Sequence, residues 1–212
     1  VLDGVKIMIP LFKVFMADGA KDAVAGVLDS GFIGQGPKVE EFEVELKNLL
    51  ENDYVATTNA ATSAEHLALH FTCTATNWPI LANNLKIKWV DVDEKNLNMD
   101  LDDLERKISP TTKVIFIVHW GGYPVDLDRI KNIVDKTENL YGFRPIVIED
   151  CAHALGSRYK GKPIGSHGNF CTFSFQAIKH MTTGDGGALV SPNCEYYKRS
   201  KLLRWYGIDR DS

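Results

Sequence analysis

No apolar run among these 212 residues approaches the roughly 18 positions that a bilayer-crossing helix needs, so no membrane span is expected. The opening residues, Val1 to Pro10, lack the basic, apolar and small-residue succession of a secretory signal. They also lack an initiator methionine, from which a natural start further upstream is expected. Positive charge is not in excess. The 24 Lys and Arg stand against 28 Asp and Glu, a net charge of −4, so there is no reason to expect the basic face that nucleic acid demands. The four cysteines, Cys73, Cys151, Cys171 and Cys194, form no Cys-x-x-Cys pair. That spacing argues against zinc and against a disulfide framework, so no metal is expected. It fits buried or half-buried free thiols in a reducing, cytoplasmic setting. Internal repeats and low-complexity stretches are also missing.

What is present is an ordinary globular composition, 44% hydrophobic and 25% charged, in a chain long enough for one large domain or a large domain with a small appendage. Asp18 is placed to cap a helix with Val24, Val27 and Leu28 on one face and Gly31 at its end. After the loop Gly31-Phe-Ile-Gly-Gln-Gly-Pro37, a second helix keeps Val39, Phe42, Leu46 and Leu49 at helical spacing. Its glutamates, Glu40, Glu41, Glu43 and Glu45, are expected to face water. Ala64 to His70 begins another helix. Trp89-Val-Asp-Val92 reads as a short strand, Asp100 to Ile108 as an amphipathic helix, Lys113 to Val118 as an apolar strand. Asp126 to Asp135 is helical, and Ile146 to Asp150 is again a strand. Continuous apolar strands alternating with helices predict an α/β fold with a mostly parallel sheet sandwiched by helices. Ligands of such sheets gather at the carboxyl ends of the strands.

One junction conflicts with this order. The helix through His70 runs directly into Phe71-Thr-Cys-Thr-Ala-Thr76 with no Gly, Pro or Asn to turn the chain. A missing segment between residues 70 and 71 is therefore expected.

Three stretches carry chemistry. In Cys171 to Gly187, Ser174 ends an apolar strand five residues before Lys179, which small turn-forming residues follow. A lysine in a partly apolar pocket can attack an aldehyde as the free amine, although taken alone Lys179 reads as a surface lysine. In Ile146 to His153, Asp150 closes a buried strand, where a carboxylate needs a partner such as a pyridine nitrogen. His153 lies three residues on, where it could touch the same ring or serve a purely structural role. In Asn59-Ala-Ala-Thr-Ser-Ala64 a helix start adds the hydroxyls of Thr62 and Ser63, an arrangement suited to phosphate or to a plain cap.

Together these stretches resemble the DegT family of sugar-nucleotide aminotransferases, a branch of the fold-type I enzymes that use pyridoxal 5'-phosphate (PLP). The likeness runs in order along the chain: Ile9-Pro-Leu, Gly31 to Glu43, Ala75-Thr-Asn, Val90 to Asp93, Val118 to Asp126, Glu149 to Gly156, Ser174 to Gly187 and Arg204 to Arg210. The resemblance implies that residues 1–212 form the large PLP-binding domain, with Lys179 as Schiff-base lysine and proton shuttle and Asp150 against the pyridinium. Ser174, Thr62 and Ser63 would hold the phosphate, and His153 would stand beside the ring. Gly34, Gln35 and Gly36 would approach the substrate, a nucleotide-linked keto-sugar of polysaccharide or lipopolysaccharide biosynthesis, with glutamate as amino donor. A homodimer is also implied.

The chain departs from the family pattern at several points. Ala61 stands near a usual glycine, and Cys73 replaces an aromatic that stacks on PLP. A turn and strand are expected between His70 and Phe71, and a smaller second domain after Arg210. A related dehydratase branch replaces the lysine by histidine, whereas this sequence keeps lysine at 179. A non-catalytic binding protein on the same fold is the remaining alternative, against which an intact Lys179 and Asp150 argue. Gly31-x-x-Gly-x-Gly36 follows a helix rather than a strand, unlike a dinucleotide loop. His66 and His70 have metal-like spacing without a third ligand.

Overall fold

The computed structural model describes residues 14–70 and 86–204. The junction after His70 falls outside them, as do Cys73, Ala75-Thr-Asn, Ile9-Pro-Leu and residues 205–210.

Helices α1 (Ala20–Ser30) and α2 (Pro37–Leu50) precede strand β1 (Val55–Thr58) and helix α3 (Ala61–His70). Helix α4 (Leu101–Lys107), β2 (Val114–Val118), α5 (Leu127–Tyr141) and β3 (Ile146–Asp150) follow. A small ribbon, β4 (Arg158–Tyr159) with β5 (Lys162–Pro163), leads to β6 (Phe170–Ser174), β7 (Gly187–Val190) and α6 (Cys194–Leu203). Side-chain caps start three of the helices. Asp100 accepts from the amides of Asp102 and Asp103, Asp126 from that of Arg129 and Asn193 from that of Tyr196, each satisfying otherwise orphaned helical donors.

The main sheet has the order β1-β7-β6-β3-β2. Its β2–β3 and β3–β6 pairs are parallel, while β7 runs antiparallel to both β6 and β1. Four strands therefore share one direction, giving the mostly parallel sheet expected, with one reversed strand threaded through it. The period-two alternation of strand side chains divides the core. Ile115, Ile117, Val147, Phe173 and Val190 meet α2, α4 and α5 through Leu46, Leu104 and Ile130. Ile148, Phe170 and Leu189 meet Ala64, Leu67 and Ala68 of α3, with Tyr196 and Leu203 of α6. Each large side chain fully enclosed in this way is worth about 1.5–3 kcal/mol.

Four expectations need correction. Trp89 to Val92 forms no strand, only an isolated bridge between Val92 and Met99. Its polar groups go elsewhere: the Asp91 amide donates to the Asp103 carboxylate at 2.8 Å, and the Asp91 carbonyl accepts from the Asp100 amide. On α2, Glu43 does not face water but is 5% exposed, while Leu49 is 47% exposed. The Glu43 carboxylate is paired inside the protein, accepting from the Thr57 amide (2.9 Å), the Thr57 hydroxyl (2.8 Å) and the Arg204 guanidinium. Cys151 and Cys171 are buried as expected, but Cys194, at the start of α6, is exposed. The helix predicted after Asp18 is present. It begins beyond Gly19 rather than at an Asp18 cap, and Val24 and Leu28 stand exposed along it.

Candidate active site

The carboxyl ends of β3 and β6 set the site. Register aligns Val118 with Asp150 and Asp150 with Thr172. One step further out, Ser174 pairs with Gly187, and Gly187 with Thr58. Alternation puts Asp150 on the same face as Ile148, and Ser174 on the same face as Phe170, which is the face that α3 covers. The strand ends therefore deliver a carboxylate and a hydroxyl to one side of the sheet, beside the start of α3.

Asp150 is half-buried. One carboxylate oxygen accepts from the Ala152 amide at 2.9 Å, and its carbonyl accepts from the His119 amide at 3.1 Å. The chain then turns, and the exposed ring of His153 meets the Trp120 ring edge to face at 5.4 Å. Lys179 is half-buried in the loop joining β6 to β7, where its amide donates to the Gln176 carbonyl at 2.9 Å. That loop is fastened to the turn after Asp150 by a 2.9 Å hydrogen bond between His180 Nε2 and the Leu155 carbonyl. Partial burial lowers the His153 pKa, and the neighbouring Lys179 ammonium lowers it further, against the opposing pull of Asp150. Asp150, His153 and Lys179 thus share one electrostatic neighbourhood.

At the other end, the Ala60 carbonyl accepts from the amides of Ser63 (3.1 Å) and Ala64 (3.2 Å) and from the Thr58 hydroxyl (2.8 Å). This starts α3 with Thr62 exposed and Ser63 half-buried in its first turn. Gly34 and Gly36 line a cavity of about 380 Å³ that they share with Phe42, Thr58, Asp185 and Gly187, so the loop before α2 and the lysine loop border one space. Gln35 is not among its lining residues.

Sequence reasoning missed Trp120, His180 and Gly187. For the last there was a signal, the Gly186-Gly187 doublet at the end of the lysine loop. It also missed a buried network behind Asp150. Glu149 accepts from His119 Nε2 at 2.8 Å and from Asn169 at 2.7 Å. His119, Glu149 and Cys151 bring potential metal-ligand atoms within 4.8 Å of one another, but both His119 nitrogens are already engaged, Nδ1 by the Val125 amide at 3.0 Å. The side chains of His66 and His70 lie outside the described residues.

Residues 16–212 match the model of the DegT/DnrJ/EryC1/StrS aminotransferase family. The fold is similar to that of AtS13 from Actinomadura melliaura, with a TM-score of 0.93 and 53% identity over 97% of this chain and 59% of that one. It is similar also to the sugar aminotransferase CalS13 from Micromonospora echinospora, with a TM-score of 0.92 and 48% identity over 97% and 60%. Among curated proteins, the uncharacterized protein MJ1066 of Methanocaldococcus jannaschii is 34% identical over 218 residues, 96% of this chain and 55% of its own length. The chain thus spans a little over half the length of these relatives. With the match extending across nearly all of its residues, the chain belongs to the DegT/DnrJ/EryC1/StrS aminotransferase family.

Proposed function

We propose that this chain is the PLP-binding large domain of a sugar aminotransferase, which moves an amino group from glutamate onto a keto carbon of a nucleotide-linked deoxysugar. The observation that carries this reading is the convergence of Asp150, Ser174 and the start of α3 on one face of the sheet, with the loop that bears Lys179 fastened through His180 to the turn after Asp150. The residues fit the cofactor. An aldehyde needs an amine, a pyridine nitrogen needs a carboxylate, and a phosphate needs hydroxyls at a helix start. When bound, PLP supplies an electron sink for the carbanion left as a proton departs from the amine-bearing carbon.

Lys179 would hold the cofactor through its amine and would serve as the group that moves a proton at the reacting carbon. Asp150 keeps a positive charge on the ring nitrogen. Ser174, Thr62 and Ser63 hold the phosphate. His153, whose basicity is lowered by partial burial and by Lys179, would stand beside the cofactor ring. Gly34 and Gly36 border the cavity through which the sugar nucleotide approaches, with Gln35 between them. A cytoplasmic homodimer serving polysaccharide or lipopolysaccharide synthesis completes the proposal. Retention of Lys179 favours transamination over the dehydratase reading.

Borohydride reduction of the PLP-loaded protein followed by peptide mapping tests the assignment. The pyridoxyl group is expected on Lys179, and Lys179→Ala is expected to abolish turnover. Labelling at Lys160 or Lys162 instead would overturn it.

A further inference from the structure

The structure assigns Gly187 a positioning role: it seats the start of α3 against the sheet so that Thr62 and Ser63 come level with Ser174. The inference rests on the reading of these three residues as the phosphate seat, and it adds what sets their spacing. Gly187 pairs with Ser174 on one side and Thr58 on the other, so it stands between the two strand ends beneath α3. A Cβ at Gly187 would lie 2.4 Å from the Ala60 carbonyl carbon, 2.5 Å from its oxygen and 2.5 Å from the Ala61 nitrogen. All three are backbone atoms that no side-chain rotation can move away. Ordinary contact begins near 3.4 Å, so any side chain here displaces the Ala60–Ala61 peptide by about 1 Å. That peptide opens the helix: its carbonyl is the acceptor for the Ser63 and Ala64 amides. The Thr58 hydroxyl, 2.8 Å from the same oxygen, holds it down on the glycine from the neighbouring strand. The arrangement is one of close backbone approach, with no left-handed conformation needed at Gly187.

A seat displaced by 1 Å loses hydrogen bonds to the phosphate while leaving Asp150 and Lys179 in place. The experiment compares binding of PLP with that of pyridoxal, which lacks the phosphate, by absorbance titration of the whole chain. Gly187→Ala is expected to lower PLP affinity at least about tenfold, the loss of a charge-assisted hydrogen bond, with pyridoxal affinity within about twofold. Thr58→Val, which removes the restraint without adding bulk to the glycine, is expected to shift the PLP-to-pyridoxal ratio in the same direction. It decides the matter if Gly187→Ala does not fold, as urea melts would show. Ser174→Ala and the paired Thr62→Ala, Ser63→Ala variant test the seat itself. If they leave the ratio unchanged, the phosphate assignment fails. If they lower it while Gly187→Ala and Thr58→Val do not, the positioning role of Gly187 alone is overturned.

Discussion

His119 donates to Glu149 and not the reverse. The Val125 amide donates to His119 Nδ1, so the ring hydrogen resides on Nε2, which faces the Glu149 carboxylate at 2.8 Å. Both side chains are fully enclosed, and Asn169 donates to the other carboxylate oxygen. Glu149→Leu would leave the His119 and Asn169 donors without an acceptor. A loss on the order of 3 kcal/mol is expected, measured by urea denaturation.

The His153 ring reports on its neighbours. Burial and the Lys179 ammonium both disfavour the imidazolium, and Asp150 favours it. Lys179→Met should therefore raise the His153 pKa, whereas Asp150→Asn should lower it further. An NMR titration of the His153 ring protons would show opposite shifts. Shifts of the same sign would mean that the three groups do not share one site.

Arg204 lies under α2, its guanidinium on the buried Glu43 carboxylate and 3.0 Å from the Thr57 carbonyl. Arg204→Met would strand Glu43 with the Thr57 donors alone. Removing one member of a buried pair costs about 3–5 kcal/mol, and a fall of that size in unfolding free energy is the expected result.

Asp103 sets an acid limit. The Lys107 ammonium, 2.6 Å away, and then the Asp91 amide hold its pKa down at about 2. A carboxyl group lowered on folding stabilises the protein above its unfolded value, near 3.9, and that contribution disappears as pH falls toward the folded one. The melting-temperature difference between wild type and Asp103→Asn should hold steady above about pH 5 and shrink between about pH 4 and pH 2. A difference unchanged across that window would show the hydrogen bonds to be neutral in charge.

The strand ends were legible in the sequence because β2 is apolar throughout, β3 opens on Ile146-Val-Ile148, and β6 is apolar apart from Thr172 up to Phe173, which shows where Asp150 and Ser174 emerge. Their shared face was not, since it depends on register between strands far apart in the chain. β7 escaped because four residues, Gly-Ala-Leu-Val, are too few to show a period. Trp89 to Val92 looked like a strand by composition, but local carboxylates claim its backbone. The burial of Glu43 could not be read along α2, because its cation stands 161 residues away. His119 and Glu149 hid for the same reason: each pattern looks like a strand end, and their pairing exists only once β2 and β3 lie side by side.

The reversal of β7 has a kinetic meaning. Its pairing with β6 joins residues 174 and 187, whereas its pairing with β1 joins residues 55 and 190. The first contact closes a short loop and the second a long one, so the hairpin carrying Lys179 should form ahead of β1 and α3 docking. Pulse-labelled hydrogen exchange during refolding would then protect the Phe173 and Ala188 amides before those of Val55 and Ala56. On that order, the loop bearing Lys179 is in place before the start of α3 has docked, and the seat proposed for the phosphate is completed last.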